Sequence, residues 1–125
     1  MDNKEFGKQL EVRTKKFAIR IIELSILLPN TSENRVIKNQ VTKSGTRIGA
    51  NYREANRSRS KQDFLNKIKI CESETSETVY WLEIIEDLNR IDAGKVNVPL
   101  AEAKELLAIF TSIAKTSKLQ AFQAL

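Results

Sequence analysis

The side chains in this chain best suited to binding are charged, and they are sorted by sign along the sequence. Between residues 35 and 69 there are ten lysines and arginines against two acids, Glu54 and Asp63. Between residues 70 and 92 seven acids face one base, Arg90. Lys43, Arg47, Arg53, Arg57, Arg59 and Lys61 crowd the end of one predicted helix and the turn after it, with Arg35 on the same outer face as Arg53 and Arg57. Such a cluster neutralises phosphates, giving affinity without base readout and a steep dependence on salt. The same pattern also describes a solvated face that keeps a protein soluble. Aromatic residues do not decide between these readings. Tyr52, Tyr80 and Trp81 fall on predicted helices as packing residues, away from any glycine-rich loop that would present a base-stacking platform.

A second constellation is polar and lies near the predicted core: Ser44, Asn51, Glu54, Glu74 and Glu77. Glu74 and Glu77 with Glu54 suggest an all-carboxylate metal site, but there is no second matched glutamate pair and no histidine in the chain. The expectation is therefore a hydrogen-bonded structural network that sets helix register or subunit pairing, with Arg47 in reach of Glu54. Buried carboxylates need donors, because an unpaired charge is strongly disfavoured away from water. Lack of histidine also excludes Ser-His-Asp and Cys-His nucleophilic centres, imidazole zinc sites and Glu-x-x-His di-iron bundles. No catalytic residue, metal or cofactor is expected, and the chain reads as a non-enzyme.

Four amphipathic segments have to position these groups. The segment from Ser60 to Asn89 is the most informative. Phe64, Ile68, Cys71, Thr75, Thr78, Leu82 and Ile85 recur at steps of three and four, the spacing of one helix face. A second row, Ile70, Glu74, Glu77, Trp81, Ile84 and Leu88, lies roughly 100° around the same helix, at about 100° per residue. Together the rows are wider than the stripe of an ordinary surface helix, so a second chain is expected over Ile70, Trp81, Ile84 and Leu88. Ser60 followed by Asp63 resembles a capping box that opens this helix.

The first helix is predicted from about Phe6 to Leu28, with Leu10, Phe17, Ile21, Leu24 and Leu28 inward, broadened by Ile22 and Ile26. Pro29 stops it, and Asn30, Thr31 or Ser32 caps the next. The second runs from about Glu33 to Asn56, with Ile37, Val41, Ser44, Ile48, Asn51 and Ala55 inward. Gly45 and Gly49 sit beside that row at a cost of roughly 1 kcal/mol each relative to alanine, which points to a neighbouring backbone close by. Gly94 is read as a breaker in the third connection, and Pro99 as a first-turn residue of the fourth helix. Leu100, Ala103, Leu107, Phe110 and Ala114 form that helix's inward seam, followed by an apolar tail of Leu119, Phe122 and Leu125. The predicted architecture is all-α: an antiparallel, up-down-up-down four-helix bundle spanning residues 1–125 as one domain.

The totals agree with a small soluble domain. The chain has 125 residues, 41% hydrophobic and 30% charged, with net charge +5. No apolar run approaches the ~20 residues of a membrane span. There is no secretory leader pattern at the N-terminus, and the single cysteine, Cys71 in the core row, fits a reducing cytoplasm.

Three blocks in order, GANYREAN (Gly49 to Asn56), SKQDF (Ser60 to Phe64) and ETVYWLE (Glu77 to Glu83), resemble the bacterial four-helix-bundle family named after 23S rRNA intervening sequences. The likeness is close over the second and third helices and extends to the others by length and pattern. It implies a homo-oligomer, a ring-shaped pentamer in structurally known members, and offers no catalytic residues. A related protein, the accessory variability protein of diversity-generating retroelements, is a basic pentamer that binds nucleic acid, so RNA or DNA is an expected partner. Asn51, Glu54, Glu74 and Glu77 look like the family's shared polar positions, and Tyr80, Trp81 and Leu82 like its apolar anchor. The alternative expectation is a scaffold for another protein with no role in nucleic-acid binding.

Overall fold

Helix α1 spans Asn3–Ile26, α2 Ser32–Ala55, α3 Lys61–Leu88 and α4 Ala93–Gln123 in a computed structural model, which describes residues 3–123. Short connections make sequential neighbours antiparallel. Among the described residues α2 packs on α1 and α3, α3 on α4, and α4 only lightly on α1, while across the diagonals the backbones stay apart and only side chains meet. The all-α bundle is thus a square whose α1–α4 side is the least closed.

The inward rows explain this packing. Leu10, Phe17, Ile21, Leu24 and Leu28 of the first segment are buried, as are Ile37, Val41, Ser44, Ile48 and Ala55 of α2. On α3 the row Ile68, Cys71, Thr75, Thr78, Leu82 and Ile85 is fully buried. Phe64 is half-buried, and Leu65 takes the covered place beside it. Tyr52 rather than Asn51 turns into the core, where it meets Phe110 edge-on with ring centroids 5.6 Å apart. Of the two helix-interior glycines, Gly49 faces a neighbouring backbone as expected, and Gly45 faces a buried side chain instead. A methyl on Gly45 would sit 2.9 Å from Ile21 Cγ2, and one on Gly49 would sit 3.3 Å from the backbone carbon of Thr14. Both let α1 approach α2 closely.

The caps follow side-chain chemistry. Thr31 accepts from the Asn34 amide at 3.1 Å, and Ser60 accepts from the Asp63 amide at 3.0 Å. Asn89 ends α3 in the left-handed region with φ 52°, which asparagine tolerates better than most residues.

Several expectations are corrected. Helix α4 begins at Ala93, so Gly94 lies in its first turn and Pro99 in its interior. Asp92 precedes that turn, and its carbonyl accepts from the Lys95 amide at 3.0 Å. Ile91 and Val96 on either side of the start are both buried, a staple that fixes the entry and outweighs the two breakers. Ile22 and Ile26 do not broaden the core row of α1; they are exposed. On α4 Leu106 is buried where Leu107 was expected, with Leu107 half-covered. Leu119 is exposed, while Phe122 and Leu125 of the apolar tail fall outside the described side chains.

Candidate nucleic-acid interface

The basic residues of α2 and the α2–α3 turn divide by partner. Arg47 Nε lies 3.4 Å from Glu74 Oε2 on α3, and Arg53 Nε lies 3.5 Å from Glu11 Oε1 on α1. Lys43, Arg57, Arg59 and Lys61 have no ion pair or side-chain hydrogen bond among the described residues, and all four are exposed. Helical spacing puts Lys43 and Ala50 on the outward side of α2, two turns apart, and Arg57 lies in the turn just past its end. Arg59 and Lys61 continue the line around the turn to the first residue of α3. Arg57, Arg59 and Lys61 thus lie together at the α2–α3 end, with Lys43 midway along α2, while other exposed lysines without an ion pair among the described residues lie on α1 and α4.

The five polar residues expected to form a network do not join into one. Ser44 and Thr78 hydroxyls meet at 2.9 Å in the core, and Thr78 also donates to the Glu74 carbonyl at 2.7 Å. Asn51 donates to the Arg47 carbonyl of its own helix at 2.8 Å. Glu54 pairs with Lys67 at 3.3 Å rather than with Arg47. Glu77 is exposed. Its carboxylate needs no buried donor, since water solvates it, and this explains why the second row of α3 tolerates an acid there. Glu74 is mostly covered, and the Arg47 guanidinium beside it supplies the compensating charge; the geometry is that of an ion pair rather than a hydrogen bond.

Of the residues expected to face another chain, Ile70 and Leu88 are exposed, while Trp81 and Ile84 rest partly against the bundle's own core. Trp81 Nε1 is buried with no acceptor among the described residues, and Tyr80, expected as an anchor, is largely exposed and lies edge-on to the Trp81 ring at 5.2 Å.

Sequence reasoning missed two polar contacts. Buried Asn34 donates through Nδ2 to the Pro29 carbonyl at 2.9 Å and accepts at Oδ1 from Arg90 Nη1 at 2.8 Å, tying the α1–α2 and α3–α4 turns together. Arg13 donates through Nε and Nη2 to the two oxygens of Glu102 at 2.6 and 2.7 Å, bridging α1 and α4. This hydrogen bonding, more than anything else near it, holds the Arg13 pKa above its ordinary value. Periodicity carries no signal for either contact, since each joins residues far apart in the chain.

Four helices joined by short connections and capped by side chains define a small all-α bundle. The sequence pattern of the 23S rRNA-intervening sequence protein family matches residues 8–112, and the chain belongs to that family. It is also similar to a crystal structure of a protein of unknown function from the S23 ribosomal protein family of Bacteroides thetaiotaomicron. The two are 35% identical with a TM-score of 0.77, over 84% of this chain and 97% of that one. No curated protein matches the chain.

Proposed function

We propose that the protein is a non-enzymatic, cytoplasmic homo-oligomer that binds RNA or DNA through phosphate contacts at the α2–α3 end. The observation that carries this reading is that Lys43, Arg57, Arg59 and Lys61 are exposed cations with no carboxylate partner among the described residues. Cations used for solubility alone are commonly interspersed with acids, whereas this stretch of α2 and its turn is nearly free of them. Arg47 and Arg53 stand beside the line at longer ion-pair distances and are available to exchange a carboxylate for a phosphate. Ile70, Trp81, Ile84 and Leu88 supply the contact between copies, in the ring of five that the family resemblance implies.

A salt titration of binding to a generic RNA tests the reading. Affinity should fall steeply with salt, and a triple change of Lys43, Arg57 and Arg59 to glutamate should flatten the logarithmic slope by about 2–3. Absence of any binding at low ionic strength would sink the proposal.

One observation favours the second reading, a scaffold for a protein partner. Val12, Ile19, Ile22 and Ile26 are exposed and lie on the side of α1 opposite its buried row. Under that reading the same triple change leaves both assembly and partner binding intact.

A further inference from the structure

We infer that the uncovered row on α1 docks on the wide row of α3 in a second copy of this chain, head to tail, with Lys15 set against Glu77. The presence of a second copy rests on the homo-oligomer reading above; the choice of α1 as the matching surface rests on separate observations.

The two rows share one step pattern. Lys8, Val12, Lys15, Ile19, Ile22 and Ile26 follow one another at intervals of four, three, four, three and four residues. So do Ile70, Glu74, Glu77, Trp81, Ile84 and Leu88. Equal steps keep two helices in register over about five turns, at about 3.6 residues per turn. All six α1 residues are exposed, whereas the α3 row is exposed at Ile70, Glu77 and Leu88 and half-covered at Glu74, Trp81 and Ile84. Helices α1 and α3 stand at opposite corners of the square and run in the same direction, since α2 between them is antiparallel to both. Copies standing side by side in one orientation bring the two rows together in parallel.

Charge selects this pairing over the others. Helix α1 carries six bases against three acids, while residues 70–92 carry seven acids against one base. Within the rows, Lys8, Lys15 and Glu77 have no ion pair among the described residues. Laid in parallel, Lys15 falls opposite Glu77, and Ile19, Ile22 and Ile26 fall opposite Trp81, Ile84 and Leu88. Val12 falls opposite Glu74, whose charge Arg47 already balances, and Lys8 at the row's end lays its stem on Ile70 with the ammonium in water. Exposed Glu23 lies at the flank of the α1 row, on the polar rim of such a contact. Either row laid on itself fits worse. In parallel it would set Lys15 on Lys15 or Glu77 on Glu77. In antiparallel it would set Lys15 on Ile19 or Glu77 on Trp81, covering a charge that has no counterion. Reversing α1 against α3 would likewise put Lys15 on Trp81. The contact is therefore heterologous, using a different face of each copy.

Two face variants and a charge swap test the pairing, each checked for folding by circular dichroism and sized by light scattering. Ile19→Glu with Ile26→Glu spoils the α1 row, and Ile70→Glu with Leu88→Glu spoils the α3 row. Each variant alone should be a single chain. An equimolar mixture should form a two-chain complex and nothing larger, because one intact face remains on each partner. Lys15→Glu and Glu77→Lys should each raise the concentration needed for assembly at least about tenfold, and the two changes in one chain should restore it. An α1 variant that keeps the wild-type mass overturns the pairing while leaving the homo-oligomer intact, and leaves the α1 row to the protein partner of the second reading. A double charge reversal no better than either single one overturns the Lys15–Glu77 register. A wild-type chain that stays single removes the homo-oligomer reading and this pairing with it.

Discussion

Gly45 and Gly49 show how a single absent methyl sets the spacing of two helices. Ile21 is fully buried and meets the Gly45 position with the branched stem of its side chain, which has nowhere to swing. Thr14 at the Gly49 position is pinned by its hydroxyl's bond to the Leu10 carbonyl at 2.8 Å. Alanine gains about 1 kcal/mol of helix propensity at such sites, but overpacking costs about 1–3 kcal/mol. Gly45→Ala and Gly49→Ala should each be destabilising by about 1 kcal/mol, read from the urea midpoint. The glycine spacing made this approach legible beforehand; which atoms fill the gap was not. Cys71 gives a second expectation at this scale. Its Sγ donates to the Ile48 carbonyl at 3.7 Å, and burial chiefly, with the Glu74 charge adding, pushes the thiol from 9.0 up to about 12. A raised folded pKa means the folded thiol keeps its proton while the unfolded one ionises. Stability from this group is complete below pH 9 and declines as pH rises from 9 toward 12. Cys71→Ser or Cys71→Ala should lose that alkaline component of a denaturation series run against pH.

Individual helices were more legible than the joints between them. The three-and-four rhythm located the buried rows because burial follows one face over many turns, and local sums of this kind survive single exceptions. Only the start of α4 escaped, because Gly94 and Pro99 are local breakers, whereas that start is fixed by Ile91 and Val96 meeting the rest of the bundle. The weak side between α1 and α4 was equally invisible, since nothing in either row announces how near the two helices lie. There the Arg13–Glu102 pair matters out of proportion to its exposure. It is bidentate and partly covered, with Glu105 Oε2 at 3.2 Å as a second acid. A double-mutant cycle of Arg13→Met and Glu102→Gln should give a coupling energy of roughly 1 kcal/mol, at the upper end for exposed pairs, shrinking as salt is added.

The whole molecule has more apolar surface than one bundle consumes. Ile70 and Leu88 on α3 and the row from Val12 to Ile26 on α1 are uncovered, and Trp81 has a buried N–H that no described group accepts. A wide apolar circumference on α3 is readable from spacing, but Ile22 and Ile26 of α1 read as part of its core row, because hydropathy cannot tell one covering from another. Light scattering should give a mass of several chains, five under the family resemblance. Ile70→Glu together with Leu88→Glu should shift that mass toward the single chain without unfolding it, as circular dichroism would check. The two ends of the bundle differ in kind. One is locked by Asn34 between the Pro29 carbonyl and Arg90, while the other carries Arg57, Arg59 and Lys61, exposed and without a carboxylate partner among the described residues. Copies related by one rotation axis would all present the same end upward, so a closed ring of them would be a disc with a polycationic rim on one side only. Such a disc has a heads and a tails, and a polyanion could lie along just one of them; a dihedral stack would present that rim on both outer sides or hide it between layers.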